Sequence, residues 1–76
     1  MENKIKALLI ASGLSEVPAS RDESLAGYGL DSLTVVLFVV ELEKTLGIKI
    51  DPNDAMIENF ATISTIEALI SKASRT

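Results

Sequence analysis

The stretch DSLTVVLFVVELEKTLG, residues 31–47, decides how the rest of this chain is read. Placed at about 100° per residue, its apolar side chains separate into two stripes. Val35, Val39, Leu42 and Leu46, flanked by Phe38 and Val36, face one way and are expected to meet a core. Leu33, Leu37 and Val40 fall on the opposite side with Lys44. A small bundle buries one stripe of a helix and seldom both, so the second stripe is either covered by a loop or left open for a partner. The helix has clear ends. Asp31 is an N-cap whose carboxylate can accept from the amide of Leu33 or Thr34, and Gly47 is the expected C′ stop. Ser32 then stands at the first helical position, at a helix end with unpaired amides and partial positive charge that suits a phosphate. Cap chemistry alone leaves Ser32 open to a plainer reading as an ordinary N-terminal helix residue.

Outward from this helix the chain reads as further helices. Ile5, Leu8 and Leu9 give a first helix from Glu2 or Asn3 to about Ser12, ended by Gly13. Residues 14–30 form a long connection that holds Pro18, Gly27 and Gly29, with Leu14, Val17, Leu25 and Tyr28 as its anchors to the core. Ile48, Lys49 and Ile50 make a linking segment with Ile50 turned inward. Asp51-Pro52-Asn53-Asp54 is a turn and helix-start signal, and Asn53 is expected to cap a short third helix through about Glu58. The twelve-residue calcium-loop pattern with its central glycine is missing there. Thr62 caps a fourth helix whose buried stripe is Ile63, Ile66, Leu69, Ile70 and Ala73. The fold expected from these periods is all-α: an up-down four-helix bundle with a short third helix and a long loop between helices one and two.

Composition narrows the function. Seventy-six residues make one small domain, and 47% apolar residues with a mean hydropathy of +0.33 are enough for a core. There is no cysteine, hence no disulfide scaffold, and no histidine, hence no usual general base or zinc ligand. The apolar run within residues 1–14 is short for a signal peptide and Glu2 dilutes its basic start. No uncharged run approaches the ~20 residues of a membrane span. The expectation is a soluble, cytoplasmic, monomeric protein. Residues 31–58 hold six acids against two bases and so carry the whole net charge of −4. Nucleic acid is therefore not the expected partner, whereas a basic protein surface would be drawn to this half.

Gly29-Leu30-Asp31-Ser32-Leu33, preceded by Leu25 and followed by the Val/Leu helix with Glu41 and Glu43, resembles the acyl carrier protein family over about residues 25–50. The resemblance implies that Ser32 carries a 4′-phosphopantetheine arm, attached by a phosphopantetheinyl transferase from coenzyme A with magnesium, with Asp31 as the cap beside it. It implies a carrier and not an enzyme: the arm holds acyl groups as thioesters for loading ligases and acyl-transferring enzymes. The partner surface it suggests comprises Leu33, Leu37, Val40, Glu41, Lys44, Met56 and Ile57. Phe38, Leu42, Ile50 and Ile57 are the candidates for an acyl pocket, with ordinary core the favoured reading of all four. Leu37 departs from the family, where fatty-acid carriers often place a glutamate, and replaces acidity with apolar surface. Glu58-Asn59-Phe60-Ala61-Thr62 looks more like D-alanyl or aminoacyl carriers and some secondary-metabolism carriers. Fatty acyl, polyketide, aminoacyl, D-alanyl and peptidyl cargo all stay open, with a specialised biosynthetic pathway favoured over bulk fatty-acid synthesis. Two rivals remain, a cofactor-free helical interaction module and an enzyme. The second lacks any group to activate Ser32.

Overall fold

The computed structural model describes residues 2–74. Three α-helices carry it: α1 (Glu2–Ala11), α2 (Ser32–Leu46) and α3 (Ile63–Ser74). Two short 3-10 turns, Leu25–Tyr28 and Ile57–Phe60, lie in the connections, and no strand occurs among the described residues. The fold is all-α with three helices instead of the expected four.

The missing helix has a local cause. The Asp51 carboxylate accepts from the amide of Asn53 at 2.8 Å, and the Asp54 amide donates to the Asp51 carbonyl at 2.8 Å. The helix-start signal is thereby used up in a tight turn. Both ends of the segment are also tied, by Ile50 and Phe60 in the core. Nucleating a helix needs several residues fixed for one hydrogen bond, and the tethered segment settles for a single 3-10 turn at 57–60.

α1 buries Ile5, Leu8 and Leu9. It ends where Gly13 takes a φ of 128°, a region that side chains other than glycine rarely enter, and Leu14 turns back into the core. The long connection is pinned to α3. The Ser64 amide donates to the Arg21 carbonyl, Arg21 Nε donates to Ser64 Oγ, Ser64 Oγ donates to Asp22, and the Arg21 guanidinium pairs with Glu67. Leu25 is fully buried, and its amide donates to the Ala61 carbonyl at 2.8 Å. α3 starts on a reciprocal cap: the Thr65 amide donates to Thr62 Oγ1 and the Thr62 amide to Thr65 Oγ1, both at 3.1 Å.

One cluster of apolar side chains from all three helices forms the core. At its middle Phe38 of α2 meets Phe60 edge-to-face, ring centroids 5.9 Å apart at 84°. This contact joins α2 to the turn that leads into α3. On α2, Val35, Phe38 and Leu42 are buried, and Val39 and Leu46 pack against the cluster. Val36, expected beside the core from its helical angle, faces solvent instead. Its helical angle lies between the two stripes, so periodicity could not assign it.

Candidate functional site

The first turn of α2 builds the site. Asp31 is in an extended conformation, φ −140° and ψ −179°, and its carboxylate accepts from the Thr34 amide at 2.8 Å. That amide first, and the Thr34 hydroxyl next, hold the Asp31 carboxyl below its ordinary value. Because the folded-state pKa is the lower one, the cap stabilises the protein above the unfolded carboxylate range and is lost as pH falls through the folded pKa. Acid titration of the melting temperature below about pH 4 should therefore fall more steeply for the native chain than for Asp31→Asn, which keeps a capping oxygen without the titration.

Ser32 follows the cap and is exposed. Its hydroxyl takes part in no hydrogen bond among the described residues. Ser32 borders a groove of about 270 Å³ together with Val35, Val36, Ala55, Met56, Ile57 and Glu58. A second groove, of about 300 Å³, continues from Val35, Val36 and Ala55 along α2 to Val39, Val40, Glu43, Ile50 and Pro52. The trough runs between α2 and the segment 50–57. That wall is held by Glu43, whose carboxylate accepts from the Ile50 amide at 2.9 Å, by the Lys72–Asp54 ion pair at 2.9 Å, and by Asn59 Nδ2 donating to the Asp54 carbonyl at 2.8 Å. Glu43→Ala should cost about 1–3 kcal/mol in urea denaturation by leaving a partly buried amide unpaired. Glu43→Gln should restore most of it, and hydrogen exchange at Ile50 reports the difference directly.

The residues expected to matter fall into three places. Leu33, Leu37 and Val40 lie on the outer face of α2, 69%, 47% and 49% exposed, and Val36 joins them at 59%. Glu41 and Lys44 continue that face and pair with each other at 3.9 Å. Met56 and Ile57 are exposed across the groove beside Ser32. The four acyl-pocket candidates do not line one opening: Phe38 and Leu42 are fully buried, Ile50 is nearly so, and Ile57 stands outside at the groove. Phe38 packs edge-to-face on Phe60 within the core. Val36, Pro52 and Ala55 are groove residues that the sequence reading did not select. Only contact between α2 and a distant loop makes them a wall, and no periodic signal precedes that contact.

Within Glu58-Asn59-Phe60-Ala61-Thr62, every residue but Glu58 takes a structural role. Asn59 ties the turn, Phe60 fills the core, Ala61 accepts from Leu25, and Thr62 caps α3. Glu58 alone of the five faces the groove without such a role.

A 4′-phosphopantetheine group fits this geometry. It needs a free exposed hydroxyl, a neighbourhood tolerant of a phosphate, and room for a flexible arm. Ser32 supplies the hydroxyl, the unpaired amide ends of the first helical turn suit the anion, and the trough supplies the room. The chain has no histidine, and the Asp31 carboxylate beside Ser32 is engaged by the Thr34 amide. Neither the curated proteins nor the solved structures contain a match to the chain. The family model for the phosphopantetheine attachment site matches residues 6–70, which takes in all of α2, both grooves and most of α3. A match over that much of the chain assigns it: this protein belongs to the phosphopantetheine attachment-site family, whose prosthetic group is 4′-phosphopantetheine.

Proposed function

We propose that Ser32 is the attachment residue and that the protein is an acyl carrier serving a specialised biosynthetic pathway in the cytoplasm. The observation that carries this reading is the unpartnered Ser32 hydroxyl on the first turn of α2, open to solvent at the head of an apolar trough. In the attachment step Ser32 Oγ bonds to the phosphorus of the pantetheine phosphate and displaces the adenosine bisphosphate half of coenzyme A. The transferase takes the serine proton. Once bound, the group supplies a thiol that carries acyl cargo as a thioester at high effective concentration near successive enzymes. The chain's own contribution is position: Asp31 fixes the helix start, Ser32 offers the hydroxyl, and the face of α2 is what an enzyme meets on approach. No helix among the described residues is long and apolar enough to cross a membrane.

A second reading, an aminoacyl, D-alanyl or peptidyl carrier, draws support from the filled core. With Phe38 and Leu42 fully buried, a long chain has no ready interior to enter, which suits small cargo. Intact mass after coexpression with a broad-specificity phosphopantetheinyl transferase tests the carrier reading, which requires a single phosphopantetheine mapped to the Ser32 peptide. An unmodified chain at saturating transferase overturns it and leaves a cofactor-free interaction module. Offering the modified protein to a panel of acyl and aminoacyl ligases, read by mass, then separates the cargo classes. Turnover of a thioester by the purified protein alone would contradict the non-catalytic role.

A further inference from the structure

We infer that the far end of the trough is a subsite for the ammonium group of amine-bearing cargo, with the Glu43 carboxylate as its counter-ion. This rests on Ser32 as the attachment residue, and it names a cargo class for that site: small aminoacyl groups with apolar side chains. The second groove, of about 300 Å³, is walled by Val39, Val40, Ile50, Pro52 and Ala55, and Glu43 is the one ionisable side chain that lines it among the described residues. A mostly apolar recess with one placed polar group is the usual form of a small-molecule site. Glu43 stands eleven positions after Ser32 on α2, roughly 16 Å along the helix axis. The extended arm, a phosphate followed by two amide links and a terminal thiol, is of that order in length. Its cargo end therefore reaches Glu43 when the arm lies in the trough.

Two features suit Glu43 to a cation. Its carboxylate is half-buried and already fixed: one oxygen, Oε2, accepts from the Ile50 amide at 2.9 Å, and the other accepts from no group among the described residues. A side chain ordered beforehand loses little further freedom when a ligand binds. No base competes for it either. Lys44 pairs with Glu41 and Lys72 with Asp54, and Lys49 borders a separate recess on the α3 side of the wall segment, beside Asp51 and Asp54. The only other acid in the trough is Glu58, at the head beside Ser32. A saturated acyl chain laid against Glu43 would strip water from the carboxylate and return no hydrogen bond. An ammonium replaces that water with a charge-assisted hydrogen bond, while the apolar walls receive the cargo side chain.

The test attaches matched cargos to Ser32 with a broad-specificity phosphopantetheinyl transferase, from coenzyme A analogues in which an amide replaces the thioester. The pair is valyl and isovaleryl, which differ only by the amine. The pKa of the valyl amine, followed by NMR titration, is expected to lie at least about 0.5 above that of the same arm free in solution, because a nearby carboxylate favours the charged form. Glu43→Gln, which keeps an acceptor for the Ile50 amide, should return the amine to its free value, and Glu58→Gln should leave it raised. At about pH 6, where the amine is charged, the backbone resonances of Val40, Ile50 and Ala55 should move at least about twofold further with valyl than with isovaleryl. An α-hydroxyisovaleryl cargo, with a hydroxyl for the amine, should behave as isovaleryl and keeps the test decisive should Glu43→Gln unfold. An amine with the same pKa on and off the protein, or a rise that survives in a folded Glu43→Gln, overturns the proposal. So does a rise lost in Glu58→Gln, which would place the amine at the head of the trough. Equal movement of those resonances with all three cargos also overturns it and makes the groove a general apolar subsite. A Ser32 peptide left unmodified at saturating transferase, read by mass before any titration, removes the assignment of Ser32 itself and the proposal with it.

Discussion

Phe60→Ala is expected to destabilise the protein by about 3–5 kcal/mol. Domains of this size have a total stability on the order of 4–11 kcal/mol, so one such cavity removes a large share. Phe60 is fully buried and is the edge-to-face partner of Phe38, and its loss leaves a void in the close-packed core. The effect also reaches the site. Phe60 closes the 3-10 turn that begins at Ile57, and the next residue accepts the Leu25 amide, so the groove wall and the long connection both hang from it. Thermal unfolding should show a fall of at least about 12 °C. Phe60→Leu should recover part of it, because it refills volume without the ring contact. A Phe60→Ala protein that melts within a few degrees of the native one would mean that the three helices hold together without this contact.

Ser32→Ala is expected to abolish attachment of the prosthetic group entirely, with no partial transfer to a neighbour. The nearest alternative hydroxyls are unavailable for physical reasons. Thr34 lies two residues on in the helix and is buried at 9% exposure. Ser24 is eight residues back, and its hydroxyl accepts from the Ala26 amide at the cap of the 3-10 turn Leu25–Tyr28. Neither presents a free oxygen at the head of the trough. Because Ser32 is exposed and its hydroxyl bonds to nothing else, the substitution should leave the melting temperature nearly unchanged. Mass spectrometry of the coexpressed variant, with a melt beside it, separates the two consequences. A phosphopantetheine found on Ser32→Ala would move the attachment site elsewhere.

Helix ends are the part of this protein best written in its residues. Asp31 before Ser32, Gly47 after Leu46 and Thr62 before Ile63 place the ends of α2 and the start of α3 where the structure has them, because caps are local chemistry. The buried stripe of α2 and the exposed Leu33, Leu37 and Val40 also follow from spacing alone. Local chemistry failed at Asp51-Pro52-Asn53-Asp54, where the same residue types that start helices can close a turn. There the Asp51 turn acts together with the burial of Ile50 and Phe60 on either side of it, and that burial is a tertiary constraint.

What the residues determined unaided is the all-α class, the capped helix and a serine at its first turn, since each depends on neighbours within one or two turns of chain. Tertiary structure alone decided that Val36 looks outward, that Phe60 meets Phe38 edge-to-face, and that Glu43 and Asp54 are tied to the Ile50 amide and to Lys72. The reason is range. A cap is fixed by contacts three or four residues apart, whereas a groove wall and an ion pair such as Asp54–Lys72 exist only once segments 18 residues apart have been brought together by the core.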